Sequence, residues 1–174
     1  MAFSSDALIS ERMMLRLSLI RDGEIILRDT ALNDVVVHGY GECIQPTAWA
    51  DGKRMFSFSG DGLIAATPTG STGYSLSAGG PIVAPDASLI LLTALAPHTL
   101  ASRPVILPDH VAVTVEVAEN SVPAEDGAAV VFDGDTSISL DYGSRIRIMK
   151  TEQKTRLVKI KHTSFVEILR EKLK

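Results

Sequence analysis

The sequence predicts a mainly β fold: two packed sheets in the manner of a β-sandwich or a distorted barrel, closed by a short C-terminal helix. Three observations carry that reading. Apolar residues recur with a period of two along most of the chain. Asp-Gly, a dipeptide suited to the positive φ angles of tight hairpins, occurs five times. Helix signals are confined to two short stretches.

Taken in order, Met13, Leu15, Leu17 and Leu19 alternate with Met14, Arg16 and Ser18, which describes a half-buried strand. Asp22-Gly23 turns the chain and Glu24–Arg28 returns it. A second hairpin runs Gln45–Ala50, Asp51-Gly52, Lys53–Phe58. Further strands are expected at Asn33–His38, Leu63–Thr67, Ser88–Thr93, Val111–Val117, Ala128–Phe132, Ser137–Leu140, Arg145–Met149 and Arg156–Lys161. Gly73–Ala78 can form a short helix after a Gly/Thr loop. The stronger helix is Ser164–Leu173, where Ser164 and Glu167 make a capping box and Phe165, Ile168, Leu169 and Leu173 share a face. Residues 118–127, polar and interrupted by Pro123, read as the most flexible loop.

The 174 residues fit a single domain, 1–174, long enough to bury roughly 70% of the unfolded chain's surface. A hydrophobic content of 45% and a charged content of 22% are ordinary globular values. The net charge of −4, with no basic stripe before residue 145, argues against a dedicated nucleic-acid binder. The basic residues from Arg145 to Lys161 alternate with Ile146, Ile148, Leu157, Val158 and Ile160, which is the pattern of a sheet's wet face. Cys43 is the only cysteine, so an intrachain disulfide is impossible. The histidines His38, His98, His110 and His162 lack ligand spacing, so no resident metal is expected. No apolar run is long enough to span a bilayer, and residues 1–11 lack the order of a signal peptide; the expected location is the cytoplasm.

One stretch stands apart: Asp61-Gly-Leu-Ile-Ala-Ala-Thr-Pro-Thr-Gly-Ser-Thr-Gly-Tyr-Ser-Leu-Ser-Ala-Gly-Gly-Pro81. A strand feeds a loop made almost wholly of small residues and hydroxyls. Gly70 and Gly73 allow the backbone close to a ligand. Hydroxyls and free N–H groups can hold phosphate or ribose oxygens, and Tyr74 offers a ring for stacking. A following helix would aim its positive end at an anion. The loop has no Walker lysine and no G-x-G-x-x-G spacing. Composition alone equally fits a surface loop with local side-chain caps.

The whole string resembles the signature loop of the NAD kinase family, with Gly73 where the family usually has Ala. Other motifs follow in family order. Asn33-Asp34 resembles its Asn-Glu/Asp pair, Pro97-His-Thr-Leu-Ala-Ser-Arg-Pro104 its His-Thr-Leu-…-Arg-Pro stretch, and Phe132-Asp-Gly134 its Asp-Gly motif. Phe165–Leu173 resembles its closing helix, so the likeness runs from about Glu11 to Leu173.

The resemblance implies transfer of a phosphoryl group from ATP, or from polyphosphate, to the 2′-hydroxyl of NAD's adenosine ribose, giving NADP. It implies Mg2+ or another divalent cation with the ATP. The implied NAD-binding residues are Asn33, Asp34, Asp61, Thr72, Gly73, Tyr74, Ser77 and Asp133. A carboxylate such as that of Asp34 is an acceptor only, which suits ribose hydroxyls or an adenine amino group. The resemblance further implies that Asp61 can reach a nucleotide held by a neighbouring subunit. The plainer alternatives are that Asn33 starts a strand, and that Asp61 and Asp133 are turn residues. Arg103 reads as a loop-ordering residue and His98 as structural.

The family's Gly-Gly-Asp-Gly-Thr string, whose aspartate activates the 2′-hydroxyl, does not occur in residues 1–174. Ser59-Gly60-Asp61-Gly62 looks similar but directly precedes the Thr-Pro-Thr-Gly loop, where the family has a separate Asp-Gly. No catalytic residue is therefore expected in this chain, and little or no kinase activity alone. Residues 162–174 form the tail helix that would pack on the absent N-terminal domain, which can be a separate partner. With that cover missing, a homo-oligomer, dimer or tetramer, is expected. The alternatives are a non-catalytic nucleotide-binding or regulatory module of the same fold, a related lipid kinase domain, or a purely structural sandwich.

Overall fold

Hairpins organise the chain. In a computed structural model, which describes residues 8–41, 43–118, 127–134, 136–141, 143–160 and 163–172, β1 (Leu8–Arg21) and β2 (Glu24–Ala31) meet at Asp22-Gly23. Their φ angles of 52° and 83° are the left-handed pair that such a two-residue turn needs. The same device joins β4 (Pro46–Ala50) to β5 (Lys53–Ser57) through Asp51-Gly52. After β3 (Asp34–Gly39), β6 (Gly62–Ala66), β7 (Leu89–Leu95), β8 (Val105–Pro108) and β9 (Val113–Val117), Asp133-Gly134 turns β10 (Ala128–Phe132) towards β11 (Thr136–Leu140), and β12 (Arg145–Lys159) follows.

The strands make two six-stranded antiparallel sheets, ordered β2-β1-β12-β9-β4-β5 (sheet A) and β11-β10-β3-β6-β7-β8 (sheet B). The core lies between them, with Leu15, Leu17, Leu19, Val113, Val115, Ile146 and Ile148 on sheet A facing Val35, Val37, Leu63, Ile90, Leu92 and Val130 on sheet B. On sheet A the alternation is simple: Ile146 and Ile148 are buried, while Arg145 and Arg147 are exposed. Sheet B has a second apolar cluster on its other face, made of Val36, Ile64, Ala66, Leu91 and Leu95. The segment after β6 covers it with Ala78 and Val83, so β6 is buried along its whole length.

Several expectations need correction. Arg145–Met149 and Arg156–Lys161 are not two strands: β12 runs unbroken from Arg145 to Lys159, because β1 pairs with it from Ile20↔Arg145 to Leu8↔Lys159. The distal part of this ribbon extends past the core, so Leu157, Val158 and Ile160 are exposed instead of buried. The strand β8 was not legible; its four residues lie between Pro104 and the turn at Asp109, and it is a sheet edge where Pro108 is tolerated. Val111 and Ala112 precede β9 and do not belong to it.

The described residues form two helices: α1 (Tyr74–Ser77), preceded by a 3-10 turn at Gly70–Thr72, and α2 (Phe165–Lys172). The Ser164/Glu167 capping box is formed. The Glu167 amide donates to Ser164 Oγ at 3.2 Å, and the Ser164 amide donates to Glu167 Oε2 at 2.7 Å. On α2, Phe165 and Leu169 are half-buried, whereas Val166 and Ile168 are exposed. The flexible-loop reading of 118–127 falls largely on 119–126, and Leu173, Lys161 and His162 likewise lie outside the described residues. Among the described residues no helix is long and apolar enough to cross a membrane.

Candidate functional site

The site is built where the Thr-Pro-Thr-Gly loop crosses the turn between β2 and β3. Thr67, fully buried, binds that turn twice and its own loop once. Its hydroxyl donates to the Leu32 carbonyl at 2.6 Å, the same oxygen accepts the Gly70 amide at 3.1 Å, and its own amide donates to the Asn33 carbonyl at 2.8 Å. Gly70 has no alternative residue type, because a Cβ there would sit 2.0 Å from the Asn33 carbonyl oxygen. The loop is therefore pressed against Asn33 and Asp34.

The loop's hydroxyls divide by burial. Ser71 Oγ donates to the Pro68 carbonyl at 2.7 Å and accepts the Val83 amide at 3.1 Å. Ser75 Oγ meets Thr93 Oγ1 at 3.0 Å. Thr67 thus ties the loop to the β2–β3 turn, Ser71 ties the loop to itself and Ser75 ties it to β7, while Thr72 and Tyr74 are exposed. α1 is a single turn, so the expected helix N-terminus for an anion does not materialise: one turn carries little of a macrodipole.

The result is a cavity of about 830 Å³ on the outer face of sheet B. The structure brings Asn33, Asp34, Asp61, Thr72, Gly73, Tyr74 and Asp133 together in its wall. Ser77 is exposed at the end of α1 and does not line it. Sequence reasoning missed Val36, His38 and Gly39 on β3, together with Leu95 and Val131. The period of two that places Asp34 also places Val36 and His38 on the same face, so that signal was available.

The carboxylates differ in what they do. Asp133, at φ 50°, accepts amides of the β2–β3 turn: Leu32 at 2.7 Å, Asn33 at 2.6 Å and Asp34 at 3.3 Å. It is both a turn residue and the brace that fixes Asn33 and Asp34. Asp34 is buried, and burial first and the Asp133 charge second raise its pKa to about 6. Asp61 is not a hairpin residue: Gly62 has no positive φ, and the Asp61 amide and carbonyl continue the pairing of β6 with Leu95 and Gly39. Its side chain is exposed at the cavity mouth. Among the described residues no lysine or arginine lines the cavity, and that lining suits a neutral heterocycle and sugar hydroxyls better than a diphosphate.

Known proteins resemble this chain in sequence and fold. Residues 32–160 match the ATP-NAD kinase C-terminal domain. The NAD kinase of Geotalea daltonii is 39% identical over 168 residues, covering 95% of this chain and 58% of that protein. The NAD kinase of Geobacter sulfurreducens is 39% identical over 173 residues, covering 98% and 60%. Among solved structures, yeast NADH kinase complexed with NADH superposes with a TM-score of 0.86 at 30% identity, over 98% of this chain and 50% of that one. An NAD kinase from Archaeoglobus fulgidus in complex with ATP gives 0.71 at 28% identity, over 87% and 55%. The chain spans 58% of the length of the Geotalea relative. With likeness this broad in both sequence and fold, the chain belongs to the NAD kinase family and corresponds to its C-terminal domain.

Proposed function

We propose that this chain supplies the NAD-binding wall of an NAD kinase, which phosphorylates the adenosine-ribose 2′-hydroxyl of NAD to give NADP, and that it is inactive on its own. The observation that carries this is the cavity between the braced Asn33-Asp34 turn and the Thr-Pro-Thr-Gly loop, lined by acceptors and one exposed tyrosine ring. Asn33 and Asp34 hold the nucleoside by hydrogen bonds, Tyr74 stacks on a base, and Thr72 with Gly73 closes the loop side. Asp61, exposed at the mouth, is free to meet a nucleotide that a second subunit presents. Ser77 belongs to the same ligand only if a neighbouring subunit extends the site over α1.

The base that takes the 2′-hydroxyl proton and the phosphate cradle come from outside residues 1–174, since Gly-Gly-Asp-Gly-Thr is not among them. The phosphoryl donor is ATP or polyphosphate. Mg2+ or another divalent cation enters with the ATP phosphates and neutralises their charge; the described residues form no three-ligand acidic cluster of their own. The exposed apolar residues Leu8, Ile9, Val158, Ile160 and Val166 favour a dimer or tetramer in the cytoplasm, or docking of an N-terminal domain. A monomer by light scattering would count against the oligomer.

Calorimetric titration with NAD tests the binding, and a coupled NADP-specific dehydrogenase tests the turnover. The expected outcome is weak binding that Asp34→Ala abolishes, no NADP from the chain alone, and NADP when an N-terminal domain is added. Binding without turnover in that reconstituted mixture would make the chain a non-catalytic nucleotide module. No NAD binding in either mixture would overturn the site.

A further inference from the structure

A second cavity, of about 360 Å³, opens on the opposite side of sheet B, where β5 of sheet A diverges from β7 and β8. β7 lines both spaces with alternate residues: Leu95 faces the nucleotide cavity, Leu92 and Ala94 face this one. Its lining is mainly apolar, with Ser57, Thr99 and Ser102 as neutral polar members. The rings of Phe56 and Phe58 lie 6.2 Å apart at 40°, and Leu92 and Val105 complete the floor. Among the described residues Arg103 is the only charged member of the lining.

Arg103 is held in place. Its Nη1 donates to the Leu100 carbonyl at 2.8 Å and to the Ser102 carbonyl at 2.7 Å, as expected of a loop-ordering arginine. Those bonds leave three of the five guanidinium N–H donors, on Nε and Nη2, for another acceptor. Among the described residues no carboxylate pairs with it. A fixed, unneutralised cation at the mouth of an aromatic cavity selects a ligand with an apolar body and one negative end.

We propose that this cavity is a binding site for a small aromatic monocarboxylate of one or two rings, the ring seated against Phe56 and Phe58 and the carboxylate on Arg103. The size excludes a dinucleotide, since about 360 Å³ is at the lower end of ligand cavities, roughly 300–1,000 Å³. The tilted phenylalanine pair favours a flat ring over an alkyl chain, because ring edges and faces can both be met. A single cation favours one carboxylate over two. The proposal does not depend on the nucleotide site, and either can fail without the other.

The test is a titration of the full chain with 2-naphthoate, followed by amide chemical shifts. Shifts confined to Ser57–Phe58 and Ala101–Val105, with Asp34, Asp61 and Tyr74 unmoved, are expected. 2-Naphthamide, the neutral isostere, should bind at least tenfold more weakly, and Arg103→Gln should weaken naphthoate by a similar factor. The amide comparison needs no variant, so it stands even if Arg103→Gln loosens the loop. Equal binding of naphthoate and naphthamide, shifts only at the nucleotide cavity, or no shifts at millimolar naphthoate would each overturn the site.

Discussion

Sheet A and sheet B have six strands each, yet they use their outer faces differently. Sheet A buries one face and wets the other, and β9 and the first part of β12, Arg145 to Ile148, read as clean alternation. Sheet B is buried on both faces at its centre: β6 has no exposed residue, and Val36, Ile64 and Leu91 are covered by the segment after β6. That covering segment leaves parts of β3 and β10 open, and the proposed nucleotide cavity is the uncovered remainder. A sheet face with two coverings, one of protein and one left for a ligand, is where this chain concentrates its buried polar groups. Asp34, Thr67, Ser71, Ser75 and Thr93 are all buried there, whereas among the described residues in the strands of sheet A Ser18 is the one polar residue buried as a whole.

The largest expected effect separates stability from binding. Leu17, fully buried on the inner face of sheet A, contributes only to the core. Leu17→Ala should lower unfolding free energy by roughly 2–5 kcal/mol, measured by urea denaturation. NAD affinity, measured well below the transition, should stay within twofold. A parallel loss of affinity would mean that sheet A reaches the site through the core and that the contrast is false.

Gly70→Ala tests the other side. The added methyl would lie 2.0 Å from the Asn33 carbonyl oxygen, and backbone cannot yield as a side chain tip can. A cost of roughly 1–3 kcal/mol is expected from overpacking, with NAD affinity falling more than tenfold because Asn33 and Asp34 are displaced. Gly73→Ala is the control: its Cβ would meet the Gly70 carbonyl at 3.2 Å and Asp34 Oδ2 at 3.8 Å, which a small adjustment relieves. Affinity within threefold of the parent is expected for Gly73→Ala.

The third prediction uses pH. The folded pKa of Asp34 is raised, from 3.8 to about 6. The folded state thus holds this proton more tightly than the unfolded chain does. Its stabilising contribution is complete below 3.8 and is lost as pH rises through about 6. Asp34→Asn should therefore raise the melting temperature more at pH 7.5 than at pH 4.5. Ligand binding runs the other way, because ribose hydroxyls donate to the ionised carboxylate. NAD affinity should fall as pH drops through about 6, approaching tenfold per unit, and Asp34→Asn should flatten that profile. Asp133→Asn removes the neighbouring charge and should move the midpoint down. An unchanged midpoint would mean that burial alone sets it.

How much of this was legible follows the same division. The hairpins at Asp22-Gly23 and Asp51-Gly52 were readable because a two-residue turn is a local matter. The long continuity of β12 was not, since it depends on β1 running opposite it across more than a hundred residues. The gathering of Asn33, Asp34, Asp61, Thr72, Gly73, Tyr74 and Asp133 into one wall could be expected only through the family resemblance, because it joins three separate segments. That Asp133 spends its carboxylate on backbone amides, and that Ser71 and Ser75 face inward, depends on side-chain directions that no spacing in the loop encodes.

The smallest expected effect completes the contrast. Arg147 is exposed on the wet face of sheet A, flanked by Thr114 on β9 and Ser18 on β1, and no carboxylate pairs with it among the described residues. Its guanidinium is solvated in both folded and unfolded chains, so Arg147→Ala should change stability by no more than about 0.5 kcal/mol. The opposite face of the same strand carries Ile148, fully buried, where the loss of one methyl in Ile148→Val should cost roughly 0.5–1.5 kcal/mol. Neither change should alter NAD affinity. If Arg147→Ala destabilised the fold by more than Ile148→Val, the outer face of sheet A would have to be covered in solution, and the asymmetry between the sheets would belong to the isolated subunit alone.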